Sequence, residues 1–125
     1  MKLPDASRQA MLETLVGALD GGYLELRSGL GPADPDDAAN GMLLATITLN
    51  DPAFVMAGST ASADTGGLST LGLADGTPQW FRAYTVADVA VLDGTEAEIE
   101  LNTVSISEGL TVQVDSWTVV MQDGT

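Results

Sequence analysis

Gln79-Trp80-Phe81-Arg82-Ala83-Tyr84, followed by Val89-Ala90-Val91-Leu92-Asp93-Gly94, is the stretch whose reading decides the fold. It holds one of two tryptophans, one of two phenylalanines and one of two tyrosines in a chain that is only 5% aromatic. A strand sends successive side chains to opposite faces. Trp80, Arg82 and Tyr84 therefore point one way, Phe81 and Ala83 the other. Bulky residues on both phases predict a strand covered on both sides, at the centre of a core. Arg82 has two rings for neighbours, on which it can stack, or it pairs with a glutamate across the sheet.

On the C-terminal side, Thr85 to Asp88 connects this strand to Val89–Leu92 as a β-hairpin. Asp93-Gly94-Thr95 then reads as a turn. In Glu96 to Leu101, Ala97, Ile99 and Leu101 share the inward phase. Glu96, Glu98 and Glu100 form an outward carboxylate row, which guards an edge against aggregation or meets an arginine-rich partner. Val104-Ser105-Ile106 leads to the turn Ser107-Glu108-Gly109. In the run Leu110–Met121, Val112 and Val114 lie on one phase and Trp117, Val119 and Met121 on the other. A bulge near Asp115-Ser116 reconciles them, and predicts a strand that passes from one sheet to the other.

On the N-terminal side, Met42–Leu49 is a strand, with Leu43, Ala45, Ile47 and Leu49 expected in the core and Leu44, Thr46 and Thr48 opposite. Tyr23–Ser28 is a shorter one. Between them, Gly29–Gly41 carries two prolines and three aspartates and is a loop. Asp34, Asp36 and Asp37 are of the type that collects a hard cation such as calcium, but they lack the spacing and terminal glutamate of an EF-hand loop, and a solvated turn is the favoured reading. Asn50-Asp51-Pro52 turns into the strand Ala53–Ala57. The small polar residues 58–67 read as a loop, and Leu68–Leu73 as an edge strand with Leu71 and Leu73 inward. Residues 5–20 form the one helix, with Arg8, Met11, Leu12, Leu15, Val16 and Leu19 at three- and four-residue steps, Asp5 as N-cap and Gly21-Gly22 as stop. Its stripe covers its own sheet or docks on another subunit. The sum is an all-β, jelly-roll-like antiparallel sandwich (residues 23–125) behind an arm and amphipathic helix (1–22), one domain with turn signals about every 8–12 residues. The expected core is Leu15, Leu43, Ile47, Phe54, Trp80, Phe81, Tyr84, Ile99 and Trp117.

Composition narrows the function classes. The 125 residues suffice for one domain, and 45% hydrophobic content supports a core. Eighteen acids face four bases, Lys2, Arg8, Arg27 and Arg82, for a net charge of −14. Such a surface repels nucleic-acid backbones and anionic membranes, and favours solubility or a basic protein partner. The absence of cysteine and histidine removes disulfides, thiol chemistry and imidazole catalysis. Met1–Asp5 lack the apolar core of a signal peptide. Serine and threonine hydroxyls at 59, 60 and 62 have no base to activate them. A glycosidase-like carboxylate pair needs an apolar pocket, and these acids fall in turns or on outward phases. No enzyme activity and no cofactor are expected.

Three blocks carry a family resemblance. Tyr23–Ser28 with Gly29, Pro32-Ala33, Gly41–Ala45, Thr48-Leu49 and Asp51-Pro52-Ala53-Phe54 is the first. Trp80–Tyr84 with Val91-Leu92-Asp93-Gly94 is the second. Asn102-Thr103, Ile106, Gly109 and Val112–Val120 form the third. Together they resemble small virion proteins of tailed bacteriophages and prophages, from about residue 8 to 121. The chain departs from them at Thr85–Val89, where the family usually has a glycine in the hairpin. The resemblance implies a capsid cement or decoration protein, made in the bacterial cytoplasm and carried on the capsid surface. It would bind between major capsid subunits as a dimer or trimer, without nucleic acid or membrane. Loops carry partner contacts more often than core strands. The expected contact residues are therefore Lys2 and Arg8 in the N-terminal segment, Pro32, Asp34, Asp36 and Asp37 in the first loop, and Ser59 and Thr60 in the second. A tail, baseplate or head-completion component, and a calcium- or carbohydrate-binding jelly roll, remain alternatives.

Overall fold

The computed structural model describes residues 4–29, 31, 38–58, 60–95 and 98–120. One helix, α1 (Asp5–Gly17), precedes nine strands: β1 (Tyr23–Arg27), β2 (Leu43–Thr48), β3 (Phe54–Ala57), β4 (Thr60–Ala63), β5 (Ser69–Leu71), β6 (Trp80–Tyr84), β7 (Ala90–Thr95), β8 (Ile99–Leu101) and β9 (Thr111–Val120). They form two antiparallel sheets, ordered β2-β1-β6-β7 and β3-β4-β9-β5, with β8 paired to β9. This is the all-β sandwich with a single helix expected from the strand spacing.

The aromatic strand β6 is one of two interior strands of its sheet. Its alternation holds. Phe81 and Ala83 enter the core between the sheets, while Trp80, Arg82 and Tyr84 occupy the outer face. Across the core Phe81 meets Trp117 of β9 edge-on at 5.2 Å, and Trp117 meets Phe54 of β3 at 4.8 Å. Such T-shaped contacts suit the ring quadrupoles. Around this triad pack Leu24, Leu26, Ile47, Ile99 and Val112.

The helix buries Leu12 and Val16 in that same core, against β3 and β4, with Leu15 partly buried beside them; Leu19, in the turn that follows, is buried there too, and Met11 is half exposed. Its stripe therefore belongs to its own domain. Pro4, not Asp5, is the N-cap, and no side chain caps the first turn. Helical bonding ends at Gly17, earlier than residue 20, and single turns carry the chain to Gly21.

Two of the expected core residues, Leu43 and Tyr84, lie elsewhere, and Trp80 is buried as expected but on the other face of its sheet. Leu43 pairs with Arg27 and Ala45 with Leu26, so Leu44 is the extra residue of a β-bulge. The bulge turns Leu44 fully inward and leaves Leu43 half-buried on the outer face. Trp80 is buried but sits outside the inter-sheet core, and Tyr84 is half-buried on the same outer face. Only one phase of a strand can look on the core, and in β6 Phe81 takes it.

Other local expectations shift for similar reasons. Residues 60–63, read as loop, are strand β4, because pairing with β3 and β9 orders the backbone and the small Ala61 side chain fits fully buried in the core. Asp93-Gly94-Thr95, read as a turn, continue β7 opposite Arg82, Phe81 and Trp80. Leu71 and Leu73 are more than half exposed, and Leu68 is the inward residue of that segment. In β9, Trp117 pairs with Ile99 and Val114 with Leu101, so Asp115 is a bulge where the change of phase predicts one. The strand nonetheless stays in one sheet. The bulge keeps Val112, Val114 and Trp117 on the same buried face.

Candidate functional site

The outer face of the first sheet gathers Glu25, Arg27, Arg82 and Asp93 with Tyr23, Trp80 and Tyr84 into three rows. Register places Thr46, Glu25, Arg82 and Asp93 in line across the four strands. Leu43, Arg27, Trp80 and Thr95 form a second row, and Thr48, Tyr23, Tyr84 and Ala90 a third. Arg82 is only 4% exposed, yet it is satisfied: Nε donates to Asp93 Oδ1 at 2.6 Å and the guanidinium to Oδ2 at 2.9 Å. Its carbon lies 5.5 Å from the Trp80 ring centre, a cation–π distance. Of the two roles expected, the stacking on a ring is met at Trp80, and an ion-pair partner is Asp93, which lies in strand and not in a turn. The carboxylate bonds hold the Arg82 guanidinium still more firmly protonated than usual, against the cost of burial.

The neighbouring groups close on one another. Arg27 bonds Glu25 Oε1 at 3.2 Å, and the Trp80 indole N–H donates to Ser28 O at 3.2 Å. Tyr23 and Tyr84 stack at 4.7 Å. Burial, and then the Asp88 carboxylate that its hydroxyl bonds, push the Tyr23 phenol up to about 12. Burial and a bond to Glu25 raise Tyr84 as well. Every one of these shifts disfavours a phenolate and none poises a group near neutral pH, which is the opposite of what acid–base catalysis requires. The charged and aromatic groups of the plate bond and stack on one another.

A cleft of about 320 Å³ opens where the two sheets separate at the ends of β1 and β6. Leu26, Phe81 and Ile99 form buried walls; Pro78 and Trp80 close one side, and Leu101 and Val104 the other. Its polar lining is Thr77, Thr103 and Glu100. This is near the lower size limit of small-molecule pockets. Sequence reading missed it, because its walls come from β1, β6 and β8, which are far apart in the chain.

Apolar side chains also stand exposed at two further places. Leu71 and Leu73 share the outer phase of β5 and the residues after it, and the Gly72 N–H to Leu110 O bond brings Leu110 beside them; all three are 54–64% exposed. At the tip of the β6–β7 hairpin, Val86 and Val89 are 74% and 59% exposed. Asp88 takes the left-handed conformation there (φ 66°), which glycine, asparagine and aspartate adopt most readily in hairpin turns.

Of the expected contact residues, Lys2, Pro32, Asp34, Asp36, Asp37 and Ser59 lie outside the described residues. Arg8 is half-buried on α1, and Thr60 opens β4, on the side of the sandwich where α1 meets β3 and β4. Glu96 of the carboxylate row and Ala97 of the inward phase are also outside the described residues. Glu100 is exposed, and Glu98 accepts a bond from the Thr95 N–H.

Comparison with family models, curated proteins and solved structures gives no match. The chain's surfaces and chemistry therefore carry the functional reading.

Proposed function

We propose that this chain is a non-enzymatic virion structural protein of the capsid cement or decoration kind, which binds between major capsid protein subunits and stabilises the expanded head. The observation that carries this reading is the exposed leucine ridge of Leu71, Leu73 and Leu110 on an edge of the sandwich. A soluble chain of net charge −14 does not otherwise gain from clustered exposed leucines, and adjacent exposed apolar groups mark surfaces that associate. The family resemblance of the three sequence blocks supports the same reading. So does the outer plate, which offers no group poised for catalysis among the described residues. Repetition over a symmetric shell turns a modest area per copy into large total stabilisation. Arg8 and Thr60, on the α1–β4 side, are assigned as further contacts, and a dimer or trimer as the bound form.

Co-sedimentation with expanded empty capsids of the same virus tests this. Saturable binding is expected, weakened at least tenfold by Leu71→Asp combined with Leu73→Asp. Purified virions that lack the chain, or its recovery in tails alone, would overturn the capsid assignment.

A further inference from the structure

We propose that β8 and the cleft beside it form a docking edge for an extended segment of a partner protein that alternates apolar and basic residues. Among the described residues β8 pairs with β9 alone, so its other side is an open edge. All three of its residues, Ile99, Glu100 and Leu101, line the cleft although they alternate in phase. The cleft therefore runs along the strand's edge and does not lie under one face. A strand added there would send its inward side chains between the sheets, onto Leu26 and Phe81, and its outward side chains beside Glu100. Main-chain bonding to an edge gives such additions their affinity, and alternate side chains give them specificity.

Charge selects the occupant. Glu100 is exposed at the rim, and the chain is strongly acidic. A lysine or arginine on the outward phase of an added strand would pair with Glu100 across the new ladder. A second copy of this chain is the poorer occupant: two β8 strands paired about Glu100 would set like charges directly opposite, each on a body of charge −14. An edge guarded by charge alone needs no apolar slot beside it, and here the slot has buried walls and a rim of exposed Val104, 85% accessible. The inference stands on the fold and not on the virion reading. Absent peptide binding at β8 would sink this proposal and leave that one intact, and failure to bind shells would do the reverse.

The test is titration of the full chain with the capped peptide LKVKLKVK, followed by calorimetry and amide chemical-shift mapping. Saturable binding is expected, with the largest shifts confined to residues 99–104 and 77–81. Glu100→Lys should weaken it at least tenfold. Glu13→Lys, the same charge change on the exposed side of α1, should alter it less than twofold. A peptide of the same composition with its leucines and valines in one block and its lysines in another should bind at least tenfold more weakly. Absent binding, equal losses in the two lysine variants, equal affinity for the blocked peptide, or shifts centred elsewhere would each overturn the proposal. The shift map on the unmodified chain decides the matter even where a variant fails to fold.

Discussion

Arg82 and Asp93 face each other across β6 and β7 in a two-point contact on the side of the sheet away from the core, with the shorter bond 2.6 Å. Arg82 is almost wholly withdrawn from water and Asp93 largely so. Removing one partner of such a pair leaves a buried charge without its counterion. Asp93→Ala is expected to lower unfolding free energy by about 3–5 kcal/mol, measured by urea denaturation. The double change Arg82→Met with Asp93→Leu should recover most of that loss. A single-variant loss below about 1 kcal/mol would show that solvent reaches Arg82 freely.

The raised phenol of Tyr23 gives a pH dependence of fixed sign. In the unfolded chain the phenol ionises near its ordinary value of 10, but in the fold it ionises only near 12. Between these values the unfolded state binds fewer protons, so stability falls as pH rises. Its contribution is complete below pH 10 and is lost by about pH 12. Tyr23→Phe should flatten the fall in that window while leaving the curve near neutrality unchanged in shape. Phenolate absorbance should show both tyrosines titrating above the ordinary value, and Tyr23→Phe should remove the component near 12. A Tyr23 that ionises near 10 would contradict the geometry.

Gly94 sits on β7 directly opposite Phe81, and a Cβ there would collide with the Phe81 ring. Overpacking of this kind costs about 1–3 kcal/mol. Gly94→Ala should be destabilised by that amount in chemical denaturation. Phe81→Leu in the same chain should reduce the added cost, giving a coupling that neither single change predicts. Strict additivity would place the two groups out of contact.

The indole N–H of Trp117 is buried with no hydrogen-bond acceptor among the described residues. Leaving such a donor unpaired costs about 1–3 kcal/mol. Trp117→Phe removes that cost along with part of the ring. The net loss should be under about 1.5 kcal/mol, against about 3–5 kcal/mol for Trp117→Ala. Equal losses would mean that the N–H is satisfied in solution.

Much of the architecture was legible in periodicity. Alternation placed Phe81 opposite in phase to Trp80, Arg82 and Tyr84, and the change of phase between Val114 and Trp117 located the bulge at Asp115. What periodicity lacks is the identity of the neighbour. The Leu44 bulge arises from pairing with β1, and it exchanges Leu43 for Leu44 in the core. Asp93-Gly94-Thr95 carries turn chemistry in its residue types, yet β6 supplies partners that extend the strand. The candidate docking edge was half visible, as an acidic row. Its apolar slot was invisible, because residues 26, 81 and 99 meet only in space.

By itself, the order of residues determined a two-faced strand at Trp80–Tyr84, a set of short β segments, one amphipathic helix and a strongly acidic surface, because these depend on side-chain period and composition alone. Tertiary structure decided which face of that strand looks inward, that the helix closes its own core, that Arg82 takes Asp93 as counterion, and that a cleft runs beside β8. The physical reason is that a strand's phase is local, whereas its burial, bulges and ion pairs depend on which other strand lies alongside.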